Sequence, residues 1–256
     1  MDVYRLTNDQ SKTYLADYGL LQKLSPGLEN EIPPKWDDLA RLHYLIRMRK
    51  PFHVLEFGSG FSTIVIAAAL KENWKDYLNA VQDEDSDNPL WDKPKVTALE
   101  SSAKWLKNTR NKLADFDLDG FYDCEISEVH IDQHNGDICH FYKKLPDIVP
   151  DFVYLDGPDP ATVKGDINGI SFQNPNRTVM AADLLKYEST LLPGFFMIVD
   201  GRSNNARFLQ QHFKREFKVT YHQIADVTTF ELIEPKLGIK NITGKEAYSE
   251  RLFKKL

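Results

Sequence analysis

The stretch of this sequence with the clearest chemical signature is residues 53–67, HVLEFGSGFSTIVIA. A short apolar run that begins at Phe52 ends in Gly58-Ser59-Gly60, and an apolar segment of helical character follows at once. Glycines at a strand-to-helix turn leave main-chain N–H groups exposed and let a ligand approach where a Cβ atom would collide. The pattern therefore predicts a nucleotide or nucleoside site at this turn.

Two features of the turn argue against a dinucleotide. Thr63 stands where the dinucleotide fingerprint has its third glycine. Glu56, two residues before Gly58, adds a negative charge that suits a cationic ligand group such as an amino group and would repel a diphosphate. We therefore favour a nucleoside with an amino group, and keep a nicotinamide-dependent dehydrogenase as a weaker alternative.

A second acidic residue, Glu100, ends the next predicted strand at 95–100. A carboxylate at this position can accept two hydrogen bonds from the vicinal hydroxyls of a ribose. The alternative is a charge that interacts with the dipole of the following helix. Of the two interpretations we favour the ribose contact.

Two more carboxylates, Asp156 and Asp200, end later apolar runs. The carboxyl ends of neighbouring parallel strands meet at one edge of a sheet, so these side chains should lie close together. They could act on a proton of a substrate, or hold Mg²⁺ with help from Asn204 or Asn205. Mg²⁺ is kept as an alternative, and no residue is assigned to a metal.

The elements that must position these residues alternate between strand-like and helix-like runs, which predicts an α/β fold with a mainly parallel sheet covered by helices on both faces. The predicted strands are 52–57, 95–100, 123–131, 151–156, 195–200, 218–223 and 228–233. The predicted helices are 11–24, 36–48, 62–70, 103–113, 180–192 and 204–217. The last two strands are too close in sequence for a parallel crossover, so they form an antiparallel hairpin.

Composition limits the function classes. The 256 residues are 42% hydrophobic and carry a formal net charge of −6, which disfavours nucleic acid and anionic lipid as partners. No apolar run is long enough for a membrane helix, and the first ten residues lack a signal-peptide pattern, so we expect a soluble, cytoplasmic protein without membrane contact. Cys124 and Cys139 match no zinc spacing and are expected to be plain thiols.

The organisation that we expect is an N-terminal helical cap at 1–50, a ligand-binding domain at 51–235 and a C-terminal tail helix at 236–256, packed as one compact unit. An acidic insertion at 82–94 and a long loop at 157–178 interrupt the domain, and the loop is a candidate lid because it follows a strand's carboxyl end. The cap could cover an acceptor pocket or form a homodimer contact.

The motifs resemble those of the class I S-adenosylmethionine-dependent methyltransferases. In that family the first strand ends in acid-x-Gly-x-Gly, here Glu56 to Gly60, and the second strand ends in an acid that holds the ribose, here Glu100. The form GSGFST at 58–63 is similar to a branch that contains many small-molecule and sugar O-methyltransferases. The resemblance covers residues 50–233 and implies a three-layer Rossmann-like methyltransferase fold, whose seven-stranded mainly parallel sheet closes with an antiparallel hairpin.

The resemblance also implies the site. The cofactor is S-adenosylmethionine, and Asp132, expected at the end of the third strand, would receive the amino group of adenine. The implied cofactor-binding residues are Glu56, Gly58, Ser59, Gly60, Ser62, Thr63, Glu100, Ser101, Asp132 and Asp156. The implied catalytic residues are Asp156 and Asp200.

The function expected from this resemblance is methyl transfer to a small-molecule acceptor, at a hydroxyl oxygen. The alternatives are a non-catalytic nucleoside-binding scaffold and aminopropyl transfer on the same fold. Modification of DNA amino groups is disfavoured because Asp156-Gly157-Pro158-Asp159 does not match the (Asn/Asp)-Pro-Pro-aromatic tetrad of those enzymes. Candidates for the proton acceptor are His130, His134, His140, His222, Asp156, Asp159 and Lys164, and Arg177 and Arg202 could bind an acidic acceptor.

Overall fold

A computed structural model of the chain describes residues 1–25, 33–80 and 93–237. The acidic insertion expected at 82–94 and the tail helix expected at 236–256 lie almost entirely outside these ranges. Within them, no helix combines the length and the apolar character needed to span a lipid bilayer.

A seven-stranded sheet forms the centre of the molecule, in the order β3-β2-β1-β6-β8-β10-β9. Its strands are β1 (His53–Phe57), β2 (Lys95–Glu100), β3 (Tyr122–Ile126), β6 (Phe152–Leu155), β8 (Phe196–Asp200), β9 (Phe217–His222) and β10 (Val227–Leu232). All neighbouring pairs are parallel except those of β10, which runs antiparallel to both β8 and β9. The α/β fold with an antiparallel closing hairpin is therefore confirmed.

Each central strand is apolar on both faces, and this divides the interior into two cores. In β6, Phe152 and Tyr154 belong to one core, whereas Val153 and Leu155 belong to the other. The first core includes buried residues of the N-terminal helices and of α4 (Phe61–Ala80). The alternation is what a sheet between two helical layers requires.

Four further helices of ten residues or more lie within the described ranges. They are α1 (Asn8–Asp17), α3 (Trp36–Arg49), α5 (Ala103–Ala114) and α7 (Ser203–His212). Two short helices, α2 (Leu20–Leu24) and α6 (Leu184–Tyr187), are also present. The single helix predicted at 11–24 is thus divided, because Gly19 takes a φ of +66° between α1 and α2.

The N-terminal helices are attached to the sheet by several contacts. The Tyr4 ring stacks on His222 at a centroid distance of 3.5 Å. The Arg49 guanidinium lies 3.6 Å from the centre of the Phe196 ring and pairs with Glu231 at 2.9 Å. These contacts join α3 and the chain start to β8, β9 and β10.

The strand predicted at 123–131 is wrong, because the chain breaks it into two. β3 ends at Ile126, the Ser127 N–H donates to the Glu100 carbonyl at 2.9 Å, and the chain then leaves the central sheet. β4 (Val129–His134) belongs to a second, three-stranded sheet in the order β5-β4-β7, with β5 (Asp137–Tyr142) and β7 (Val163–Lys164).

Two other expectations also change. Of the helix predicted at 180–192, only α6 and a 3₁₀ turn at 188–190 form, because Met180 and Ala182 use main-chain groups to bond His140 of β5. The loop predicted at 157–178 is not free of structure, since it contains a 3₁₀ turn at 160–162 and β7.

Candidate functional site

A cavity of about 790 Å³ opens at the carboxyl ends of the central strands. Four neighbouring strands each bring an acidic side chain to its wall: Glu56 from β1, Glu100 from β2, Asp156 after β6, and Asp200 from β8. Asp156 and Asp200, which the sequence predicted to lie close together, both line the cavity, and Glu56 and Glu100 line it as well. Its volume falls within the range of about 300–1,000 Å³ that is typical of small-molecule sites.

The glycine turn forms one side of this cavity. Gly58 has a φ of +113°, a left-handed conformation that favours glycine, and its N–H donates to the Leu99 carbonyl at 2.9 Å. Gly157, in the turn after β6, packs so closely that a Cβ atom there would lie 2.7 Å from the Gly58 nitrogen. A Cβ atom on Gly60 would instead meet nothing within 4 Å and would occupy open space. Gly58 and Gly157 thus allow the two turns to touch, whereas Gly60 leaves room at the cavity.

Glu56 anchors the first turn of α4. The hydroxyls of Ser62 and Thr63 each donate to one carboxylate oxygen, the latter at 2.7 Å, and Thr63 Oγ1 accepts from the Gly60 N–H at 3.0 Å. Glu56 is 1% exposed, and burial raises the pKa of its carboxyl to about 8 despite these hydrogen bonds. Thr63 is fully buried behind the turn and does not line the cavity.

Hydrogen bonds from Ser59 and from the two residues after Glu100 hold its carboxylate in place. Its Oε1 accepts from the N–H groups of Ser101 at 2.7 Å and Ser102 at 2.8 Å, and its Oε2 accepts from the Ser59 hydroxyl at 2.9 Å. A carboxylate oxygen can accept two hydrogen bonds, so Oε2 can receive one more from a ligand. Ser101 itself lies outside the cavity wall, where its hydroxyl bonds Thr162 at 2.7 Å.

Asp156 and Asp200 face the same part of the cavity. Burial raises the pKa of both carboxyls. The Tyr154 hydroxyl donates to Asp200 Oδ2 at 2.6 Å. Arg202 donates to the main-chain carbonyls of Asp156 and Pro158, the latter at 3.2 Å, so it holds the turn after β6.

The cap contributes residues that sequence reasoning missed. Lys35 and Asp38 line the cavity, and their charged groups lie 3.8 Å apart. Burial and the nearby Asp200 carboxylate raise the pKa of Asp38 to about 6. Because Asp38 and Asp200 lie far apart in the chain, the sequence contains no local signal that Asp38 reaches the cavity.

Helix α5 and the start of α4 form a further part of the wall. Trp105, Asn108, Thr109 and Lys112 all line the cavity, and the Lys112 ammonium lies 3.8 Å from the centre of the Phe61 ring. These α5 positions have the i, i+3, i+4, i+7 spacing of one helix face. That spacing, directly after the Glu100 strand, is the signal that could have identified them.

Asp132 does not reach the cavity, so its expected position is corrected. It is an exposed residue of β4 in the second sheet, its Oδ1 accepts from the Gln133 N–H at 2.8 Å, and it is absent from the cavity wall. The expectation assumed one strand from 123 to 131. Because the chain leaves the central sheet after Ile126, Asp132 lies in the second sheet. It is therefore not at the carboxyl ends of the central strands, where the cavity opens.

The candidates for the proton acceptor fall into two groups, those that line the cavity and those that lie elsewhere. Asp156 and Asp159 line the cavity. Four histidines lie elsewhere: His130 contacts Glu128, His134 packs on His212, His140 is fully buried, and His222 stacks on Tyr4. Lys164 pairs with Glu128, and Arg177 lines the cavity while it donates to the Ser171 carbonyl at 2.6 Å.

Metal ligands receive no support from the described residues. Across residues 1–25, 33–80 and 93–237, no three or more His, Cys, Asp or Glu side chains are grouped as a metal site. Asp156, Asp200, Asn204 and Asn205, which the sequence offered for Mg²⁺, all line the cavity.

Comparison with known proteins finds likeness in structure only. No family model matches the sequence, and no curated protein does so significantly. The chain is similar to an O-methyltransferase of Streptomyces achromogenes involved in tomaymycin synthesis, solved with S-adenosylmethionine, at 13% identity over 92% of this chain and 91% of that chain, with a TM-score of 0.45. It is also similar to an O-methyltransferase of Bacillus cereus in complex with S-adenosylhomocysteine, at 14% identity over 87% and 91%, with a TM-score of 0.44.

A methyltransferase of Podospora anserina bound to S-adenosylhomocysteine is similar at 11% identity over 86% of this chain and 88% of that chain, with a TM-score of 0.45. The strand order, with β10 antiparallel between β8 and β9, is the direct evidence on the fold. The chain has the seven-stranded, mainly parallel sheet with an antiparallel closing hairpin that its sequence predicted.

Proposed function

We propose that this protein is an S-adenosylmethionine-dependent methyltransferase that acts on a hydroxyl oxygen of a small molecule. The observation that carries the proposal is that one cavity contains the glycine turn at 58–60, Glu100 and the carboxylates of Asp156 and Asp200. A nucleoside site and a proton acceptor are thereby adjacent in one space. Both are required for methyl transfer to a hydroxyl.

The cavity residues suit the cofactor. Glu100 Oε2 retains capacity for a hydrogen bond from a ribose hydroxyl, and the open space beside Gly60 admits a ligand close to the main chain. The proposed cofactor-binding residues on the wall are Glu56, Gly58, Ser59, Gly60, Ser62, Glu100 and Asp156. Thr63 and Ser101 support them from behind the wall through their hydrogen bonds.

The chemistry requires little of the protein beyond position and proton removal. When bound, the cofactor supplies a sulfonium methyl group that an acceptor atom attacks in line. The chain's own residues then orient the acceptor and receive its proton. Asp156 and Asp200 are the proposed catalytic residues, and Arg202 holds the turn that carries Asp156.

Calorimetric titration of the full chain with S-adenosylmethionine and S-adenosylhomocysteine tests the proposal. We expect micromolar binding of both, with and without Mg²⁺, and much weaker binding of a nicotinamide dinucleotide. Glu100→Ala should weaken binding at least tenfold, because it removes charge-assisted hydrogen bonds. Glu216→Ala, at an exposed position outside the cavity, is the matched control and should bind like the wild type.

Gly60→Ala separates binding from folding. Because no atom lies within 4 Å of the added Cβ, this variant should unfold at the wild-type urea concentration and yet bind the cofactor more weakly. Wild-type protein that binds neither sulfur nucleoside would refute the proposal. The acceptor is then sought by transfer of a radiolabelled methyl group to a panel of hydroxylated metabolites.

Aminopropyl transfer remains a second candidate because the acidic residues Asp38, Asp156 and Asp200 act on one another in the cavity, and such a group suits a diamine. Activity with decarboxylated S-adenosylmethionine and a diamine, without methyl transfer, would favour it. A nucleoside-binding scaffold would bind the cofactor and transfer no group to any acceptor.

A further inference from the structure

The carboxylates of Asp156 and Asp200 have different surroundings in the cavity. Asp200 Oδ2 accepts a hydrogen bond of 2.6 Å from the Tyr154 hydroxyl. Tyr154 is 3% exposed and lies within β6, where it is paired with Glu56 of β1 on one side and Ile198 of β8 on the other. The Tyr154 hydroxyl is therefore held by β6 and its neighbours β1 and β8, and its hydrogen bond fixes the orientation of the Asp200 carboxylate.

Asp156 has no such donor. Its side chain is exposed to the cavity, and no group of residues 1–25, 33–80 or 93–237 is within hydrogen-bond distance of its carboxylate. Arg202, whose charge lowers the pKa of the Asp156 carboxyl, donates to the main-chain oxygens of Asp156 and Pro158 instead. The turn is thus held while the carboxylate keeps its lone pairs for a ligand.

The effect that lowers the pKa most differs between the two carboxyls: for Asp200 it is the hydrogen bond from Tyr154, and for Asp156 it is the charge of the Arg202 guanidinium. Burial raises the pKa of Tyr154 well above its ordinary range, so the hydroxyl keeps its proton and remains a donor. That hydrogen bond lowers the pKa of Asp200 against the effect of burial. The other charged groups that act on one or both carboxylates are Lys35, Asp38, Arg41, Glu56 and Arg202.

We infer that Tyr154 is a positioning residue, which keeps Asp200 as the anion that orients the acceptor hydroxyl and leaves Asp156 as the carboxylate that receives the acceptor's proton. The inference rests on the proposed methyl transfer. In that step the acceptor oxygen bonds to the methyl carbon, and the carbon–sulfur bond breaks with its electron pair retained by sulfur. The acceptor's proton moves to a carboxylate oxygen of Asp156 and later passes to water.

A titration of the carboxyl groups tests the positioning role without any acceptor. The full chain is labelled with ¹³C at the aspartate Cγ atoms, its spectrum is followed against pH, and Asp156→Asn and Asp200→Asn assign the two signals. We expect Asp156 to titrate at a higher pH than Asp200. Tyr154→Phe should raise the Asp200 midpoint by about one pH unit, since it removes one hydrogen bond to the ionised form.

Tyr221→Phe is the matched control. Tyr221 donates to Asp226 Oδ1 at 3.0 Å in an exposed pair of the same chemistry, so its loss should leave both midpoints unchanged. If Asp200 titrates at a higher pH than Asp156 in the wild-type protein, the inference is overturned. This comparison uses wild-type protein and does not require that Tyr154→Phe folds. An unchanged Asp200 midpoint in a folded Tyr154→Phe protein overturns it as well.

Kinetics with the acceptor found in the radiolabel screen test the division of roles. We expect Asp156→Asn to lower kcat at least 100-fold, whereas Tyr154→Phe and Asp200→Asn mainly raise the acceptor KM. The reverse pattern would exchange the two roles and refute the inference. Failure of wild-type protein to bind S-adenosylmethionine would refute the proposed function instead, and the carboxyl titration would still report on Tyr154.

Discussion

Asp183 carries a buried carboxyl group, and its replacement by the neutral side chain of asparagine should make the protein more stable. It is 1% exposed, its Oδ1 accepts from the Tyr142 N–H at 2.8 Å, and its Oδ2 has no hydrogen-bond partner among the described residues. Burial raises its pKa from 3.8 to about 7. Asp183→Asn keeps the side-chain volume and the Oδ1 acceptor and removes the charge.

The expected magnitude follows from the size of that shift. A rise of about three pH units corresponds to roughly 4 kcal/mol, at about 1.4 kcal/mol per unit. Because the folded pKa is raised, the folded state of the wild type loses stability as the pH increases from about 4 to about 7, and the loss is constant above that range. The Asn variant lacks this loss, so its advantage grows from near zero at pH 4 to at most about 4 kcal/mol above pH 7.

Urea unfolding at pH 5 and pH 8.5 measures the effect. The difference in unfolding free energy between Asp183→Asn and wild type should be larger at pH 8.5 by about 3 kcal/mol. Asp119→Asn, at an exposed position, serves as the control and should change stability by less than about 0.5 kcal/mol at either pH. An advantage of Asp183→Asn that is equal at the two pH values would refute the reasoning, since it would reflect packing and not charge.

Two further predictions concern the turn and the thiols. Gly157→Ala should destabilise the fold by about 3 kcal/mol in urea unfolding, because its Cβ would lie 2.7 Å from main-chain atoms of Phe57 and Gly58; wild-type stability would show that the two turns can separate at little cost. Cys124 and Cys139 are free thiols whose pKa burial raises to about 12, so neither should react with a thiol reagent at pH 8 until the protein is unfolded, and rapid labelling of the native protein would contradict this.

The parts of the site that could be predicted are those set by local sequence and strand direction. Asp156 and Asp200 each follow a continuous apolar run, Glu100 ends the strand-like segment 95–100, and parallel strands bring their carboxyl ends to one edge. The glycine turn could be predicted as well, since the left-handed φ at Gly58 favours glycine. These features depend on neighbours in the chain.

The parts that could not be predicted depend on distant contacts. The apolar alternation continues from β3 into β4, and nothing local shows that the chain changes sheets at Ser127, so Asp132 was assigned to the wrong place. The segment before α6 has a helical composition, but its main-chain groups bond His140. Asp38 enters the cavity only because α3 packs on α4.

The division of the cavity wall has a consequence for how this scaffold can diversify. Residues 33–35, Asp38 and Leu39 form one part of the wall, while the glycine turn and Glu100 come from separate elements of the sheet. Under the proposed function, changes of sequence in the cap would reshape the acceptor side of the cavity and leave the atoms proposed to receive the nucleoside unaltered. Exchange of the N-terminal segment between related genes would then be a route to new acceptors that preserves cofactor affinity.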